Sequence, residues 1–181
     1  MKGERNAQVY QVGPHLFGTS STIPHWKTEE LIPSLKPFLL SLDTYKEKEL
    51  KIAFSLAIQP ESETQEEDHA KYRSLIEFEW ESATCRISVI PDTDSYLITI
   101  LAPNDPKEYT AYFFYGFTKG ILFLHATEAD AFVLNNILMM IYAFNTACSD
   151  TVLMHASVIK KDGKGYLFQL SLIHISEPTR P

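Results

Sequence analysis

Residues 75–81 read LIEFEWE, and in them Ile76, Phe78 and Trp80 alternate with Glu77, Glu79 and Glu81. A period of two is that of a β-strand, whose successive side chains point to opposite faces. Apolar residues on one face and acids on the other describe a half-buried antiparallel strand, one face in the core and one in water. Four more strands come after it at similar spacing, Thr84 to Ile90, Tyr96 to Leu101, Tyr109 to Tyr115 and Gly120 to His125, separated by PDTDS, PNDPK and the turn from Gly116 to Gly120. Turn residues at those intervals predict an antiparallel meander, and its apolar face needs a cover.

The next element supplies that cover. Thr127 is placed to cap a helix, with Asp130 three residues on as a variant of the capping box, and 131–147 carries Phe132, Val133, Ile137, Leu138, Met140, Ile141 and Phe144. The segment is apolar almost all round. About 17 residues interrupted by Asn135, Asn136 and Asn145 are short and polar for a membrane span, so a buried helix is expected, with Met139 and Met140 as core filling. Upstream, Ala7 to Val12 reads as a short strand and Leu50 to Ile58 as a mostly buried one. Between them Thr28 opens an amphipathic helix with Glu29 and Glu30 in its first turn, ending near Leu35 ahead of Pro37. Glu61 to Asp68 (ESETQEED) has five acids in eight residues, which describes a solvated loop better than a metal site with His69.

Composition bounds the function. At 181 residues and 45% hydrophobic, the chain has material for one domain, or one domain and part of a second. A formal charge of −7 argues against nucleic acid and against an anionic membrane, because phosphate binding rests on clustered Lys and Arg. Cys85 and Cys148 lie in no CxxC and no Cys/His cluster of metal spacing, so reduced thiols and no metal site are expected. The start, MKGERNAQVYQVG, has no signal-peptide core, and a cytoplasmic protein is expected.

Asp150 to Gln169, DTVLMHASVIKKDGKGYLFQ, is by local physics a β-hairpin: apolar Val152 to Ile159, a Lys160 to Lys164 turn around Asp162 and Gly163, and a second strand through Phe168. Within it, MHASVIKKDGKGYLF resembles the approach to the nucleotide-binding core of HPr serine kinase/phosphorylases and related kinases of the phosphoenolpyruvate-carboxykinase-like fold. There a Leu/Met-His pair precedes a strand, a G-x-G turn and an apolar strand that ends in a P-loop. Met154, His155, Gly163 and Gly165 take those places without a gap. The resemblance implies a parent that is an ATP-dependent transferase using ATP and magnesium, phosphorylating a serine hydroxyl on a protein or peptide. It also puts His155 beside the nucleotide phosphates. The preceding apolar helix is similar to a segment of such kinases, and the region 1–126 only loosely to their leader domains.

The family's P-loop, G-x-x-x-x-G-K-[ST], is missing from the next positions. In register, its first glycine falls at Leu170, its second at Ile175, its Lys at Ser176 and its Ser/Thr at Glu177. A β-branched Ile cannot take glycine's conformations, and a carboxylate repels phosphate. Gly163 and Gly165 precede the loop and do not replace it, so this chain itself is expected to hold no cofactor and to be inactive. The C-terminal segment LSLIHISEPTR, from Leu170 to Arg180, resembles the conceptual translation of a transposon-end sequencing adapter over eleven consecutive residues.

The expected fold is therefore α+β: an antiparallel β-meander covered by an apolar helix, followed by the first β-hairpin of a truncated P-loop kinase core. The expected parts are a β-rich domain at 1–126, helix and hairpin at 127–169, and a non-native tail at 170–181. Asp150, His155 and Ser157 do not suggest a hydrolytic triad, since no nucleophile elbow accompanies them. Lys160, Lys161 and Lys164 read as solvated hairpin charges. The alternative function is a non-enzymatic β-rich module that binds a protein through exposed aromatics or a strand edge.

Overall fold

Gly13, at φ +56°, turns the chain between strands β1 (Asn6–Val12) and β2 (His15–Ser21). Their antiparallel register runs from Asn6↔Ser21 to Val12↔His15, leaving Gly13 and Pro14 as a two-residue loop. The computed structural model describes residues 6–23, 26–41, 51–63, 71–80, 82–151, 153 and 157–168. Helix α1 (Thr28–Leu31) starts where expected but lasts one turn, and a 3-10 segment, Pro33–Phe38, replaces the rest. Pro33 is the cause: it lacks an N–H and drives the preceding Ile32 out of the helical region, to φ −122° and ψ 78°. The chain then adds a two-residue strand, β3 (Leu39–Leu40), to β1.

Strand β4 (Ile52–Pro60) pairs in parallel with β2. The expected meander is formed by β5 (Arg73–Trp80), β6 (Ala83–Val89), β7 (Tyr96–Leu101), β8 (Glu108–Phe114) and β9 (Lys119–Leu124), each antiparallel to the next. Strand β9 closes onto β4 in parallel, so one mixed sheet of nine strands runs β3-β1-β2-β4-β9-β8-β7-β6-β5. The fold is α+β.

Helix α2 (Asp130–Thr146) covers one face of this sheet. Val133, Leu134, Ile137 and Ile141 are buried among Phe17, Phe54, Leu56, Ile98, Phe113 and Leu122. Each such side chain contributes roughly 1.5–3 kcal/mol relative to leaving it exposed. Asp130–Ser149 is also long and apolar enough to cross a membrane, at a mean hydropathy of 1.4, but its apolar residues supply the cover the sheet requires. Gly120 in β9 sits directly opposite Phe113 in β8, and a Cβ there would overlap the Phe113 ring. Glycine leaves room for an aromatic to lie flat over the sheet.

Strand β5 corrects the expectation for 75–81. Ile76 is 53% exposed, Leu75 51% and Trp80 41%, and only Phe78 of its apolar residues is half-buried. Nine strands about 4.8 Å apart make a sheet roughly 38 Å across, whereas a 17-residue helix is about 25 Å long and 10 Å wide. Helix α2 cannot cover the whole sheet, and on β5 its Phe132 ring reaches Trp80 while Leu75 and Ile76 are left exposed. A bulge at Leu75, between Ser74 and Ile76, further turns the start of the strand away.

The hairpin forms a sheet of its own, β10 (Ser157–Lys161) with β11 (Lys164–Phe168). Asp162 (φ +50°) and Gly163 (φ +77°) make the two-residue turn that an Asp-Gly pair favours. Strand β10 is described from Ser157 onward; the expected start at Val152 falls largely on residues 152 and 154–156, which lie outside the described residues.

Candidate functional site

His155, the residue that the resemblance singles out, lies outside the described residues, as do the P-loop register positions Leu170, Ile175, Ser176 and Glu177 and the acidic stretch from residue 64 with His69. Gly163 is at the hairpin turn, and Gly165 pairs with Lys160 across the ladder. Lys161 and Lys164 are exposed. Asp150 takes a left-handed conformation (φ +51°) just after α2 and its 3-10 extension, where the chain leaves for the hairpin. Beside this departure His15 Nε2 meets Thr151 Oγ1 at 2.7 Å.

The described residues converge instead at the other end of α2. The Tyr109 hydroxyl, on β8, lies within hydrogen-bond distance of Thr127, of Asp105 Oδ2 (3.0 Å) and of Asp130 Oδ1 (3.2 Å). Asp105 also accepts from the Lys107 backbone N–H (3.0 Å) and the Thr127 hydroxyl (3.0 Å). Asp130 reaches backward and accepts from the backbone N–H groups of His125 and Ala126. The expected capping box is thus displaced: Thr127 Oγ1 accepts from Ala129 N–H, and no side chain caps the first turn of α2. The Asp130 carboxylate fastens the β9–α2 corner in its place.

Charge follows the same geometry. The Lys107 N–H, with the two hydroxyls, holds the Asp105 carboxyl below the usual carboxylate range, and burial pushes the Tyr109 phenol upward. His125 Nδ1 lies 2.7 Å from Glu61 Oε2 and its Nε2 lies 3.1 Å from the Glu108 carbonyl. The His125 ring and Lys107 hold Glu61 below its usual range. Every hydroxyl in the cluster already faces a carboxylate, so it locks the 102–107 turn to the helix and presents no free nucleophile. Among the described residues no three His, Cys, Asp or Glu side chains are grouped to hold a metal ion.

Next to this lock a cavity of about 530 Å³ is lined by Asp105, Glu128, Asn104, Pro103 and Phe132. Phe132 connects it to the sheet edge, its ring centroid 6.2 Å from that of Trp80 on β5. The described site is therefore an acidic cavity continuous with an exposed apolar strand. Sequence reasoning missed it: 64 positions separate Glu61 from His125, and Trp80 reads locally as a core residue. Comparison with known protein families, curated proteins and solved structures gives no match for this chain.

Proposed function

We propose that this chain carries the front of an ATP-dependent kinase resembling the HPr kinase group, which in its full-length form moves the γ-phosphoryl of ATP to a serine hydroxyl of a cytoplasmic protein or peptide. One observation carries the reading, the ungapped run from Met154 to Phe168 with His155, Gly163 and Gly165 in the family's places. The separate sheet made by β10 and β11 supports it, because a kinase core opening here starts a new sheet. In the parent, His155 stands beside the nucleotide phosphates, and ATP and magnesium are the cofactors. This chain's own residues do not fit them: Leu170, Ile175, Ser176 and Glu177 stand where glycine amides, a Lys and a hydroxyl would cradle phosphate and metal. The chain as it stands is inactive, and its nine-stranded sheet serves substrate recognition.

The test is to amplify source genomic DNA across codon 169 and sequence several hundred bases beyond. A G-x-x-x-x-G-K-[ST] codon run after Phe168 is the expected result; a stop codon or an unrelated frame overturns the kinase reading. The exposed Leu75, Ile76 and Trp80 favour a second reading, a non-enzymatic interaction module, which that negative result would leave standing.

A further inference from the structure

We propose that the outer edge of β5 takes up an extended peptide segment of alternating basic and apolar residues, added to the sheet as a further strand. Long edge strands are a hazard that proteins blunt by shortening, covering or charging them. The opposite edge obeys this rule: β3 has two residues, and a 3-10 turn with two prolines leads into it. Strand β5 has eight residues, pairs only with β6 among the described residues, and exposes Ile76 and Trp80. Its bulge sits at Leu75, which leaves Ile76 to Trp80 regular and able to pair.

Charge and register define the occupant. Ile76, Phe78 and Trp80 share one face, which runs through Phe132 into the cavity lined by Asp105 and Glu128. Glu77 and Glu79 share the other; Glu77 is paired with Arg86 at 2.6 Å, and Glu79 has no charged partner among the described residues. A second copy of β5 fits badly. Antiparallel self-pairing centred on Glu77, Phe78 or Glu79 sets glutamate against glutamate, and a one-residue slip sets the acidic face against the apolar one. Centring on Ile76 runs through the bulge. A strand with Lys or Arg at alternate positions meets Glu79 on one face. Its apolar residues cover Ile76, Phe78 and Trp80 on the other, and the Asp105 and Glu128 carboxylates lining the cavity beside Trp80 add to the attraction for a basic segment. The chain's net charge of −7 favours such a partner at long range.

A fluorescein-labelled, end-blocked peptide of alternating lysine and valine, titrated with the full 181-residue chain, tests this by anisotropy. Saturable binding is expected, at least tenfold tighter than for the matching glutamate–valine peptide, and at least tenfold weaker in Glu79→Lys and in Trp80→Ser. Both positions are exposed, and thermal melting of each variant reports that it is folded. Equal binding of the two peptides, or binding indifferent to both substitutions in folded protein, overturns the proposal. So does a concentration-dependent doubling of mass in sedimentation that Ile76→Lys abolishes, which would give the edge to a second copy. The inference is independent of the kinase reading, and failure here leaves the genomic test unaffected.

Discussion

Strands β5 and β8 carry the same kind of message and meet opposite fates. Each places large side chains on one face, Ile76, Phe78 and Trp80 in β5 and Tyr109 and Phe113 on either side of Ala111 in β8. Either reads as a strand with at least that face in a core. In β8, Tyr109, Ala111 and Phe113 are buried under α2. In β5, Ile76 is more than half exposed, Trp80 meets α2 only through the Phe132 ring, and Phe78 is half-covered. Period specifies which residues share a face, whereas burial depends on how many elements lie over that face. A single helix on nine strands leaves part of its sheet open, and here the open part is the edge.

The largest contrast comes from cutting into each region. Ile137→Ala, in the helix over the sheet centre, should lower unfolding free energy by about 3 kcal/mol in urea titration, while Ile76→Ala should change it by less than about 0.5 kcal/mol. Equal losses would mean that β5 is covered. Gly120→Ala comes next, with an expected loss of about 2 kcal/mol, because the new methyl group must displace the Phe113 ring that pairs with it. Tyr109→Phe should cost about 1.5 kcal/mol, since it leaves Thr127, Asp105 and Asp130 short of a shared donor.

Two smaller effects sharpen the comparison chemically. Asp105 and Glu61 both have folded-state pKa values held below their ordinary ones. The stabilisation they give is complete above the ordinary carboxylate range and is lost as pH falls through their lowered folded values. Acid titration of thermal stability should therefore show a fall below about pH 4 that is shallower in Asp105→Asn. A fall of unchanged size would remove Asp105 from the lock. Burial pushes the Cys85 thiol on β6 up to about 11, whereas Cys148 is exposed. A maleimide at about pH 7 should label Cys148 and leave Cys85 untouched until unfolding, as mass spectrometry of the peptides would report.

The strands from β6 to β9 were legible because the three turns between them are written locally in Pro, Asp, Asn and Gly, and the Asp162-Gly163 turn of the hairpin for the same reason. Strand β5 was legible from its period of two, with only Glu81 and Ser82 between it and β6. Strand β2 was not. Its sequence, HLFGTSS, contains a glycine and no clean alternation, and it is held by the turn from β1 and by parallel pairing with β4, partners invisible in a short window. The parallel closure of β4 onto β9 spans some sixty residues and leaves no local mark. Asp130 is recognisable as a helix-start residue, but its backward reach to His125 and Ala126 depends on where β9 ends. Pro37 reads as the end of the first helix, whereas Pro33 already stops it. The acidic cavity beside Trp80 draws on the 103–105 turn, the 127–129 corner and Phe132, three places that only the finished sheet brings together.

The most direct test of an open, receptive edge is amide hydrogen exchange followed strand by strand, with and without the lysine–valine peptide. The account predicts slow exchange throughout β8 in both conditions. In β5 the amides facing away from β6 should exchange rapidly in the free protein and at least tenfold more slowly with peptide present. Protection of β5 equal to that of β8 before any peptide is added, or no change on adding it, would contradict the account.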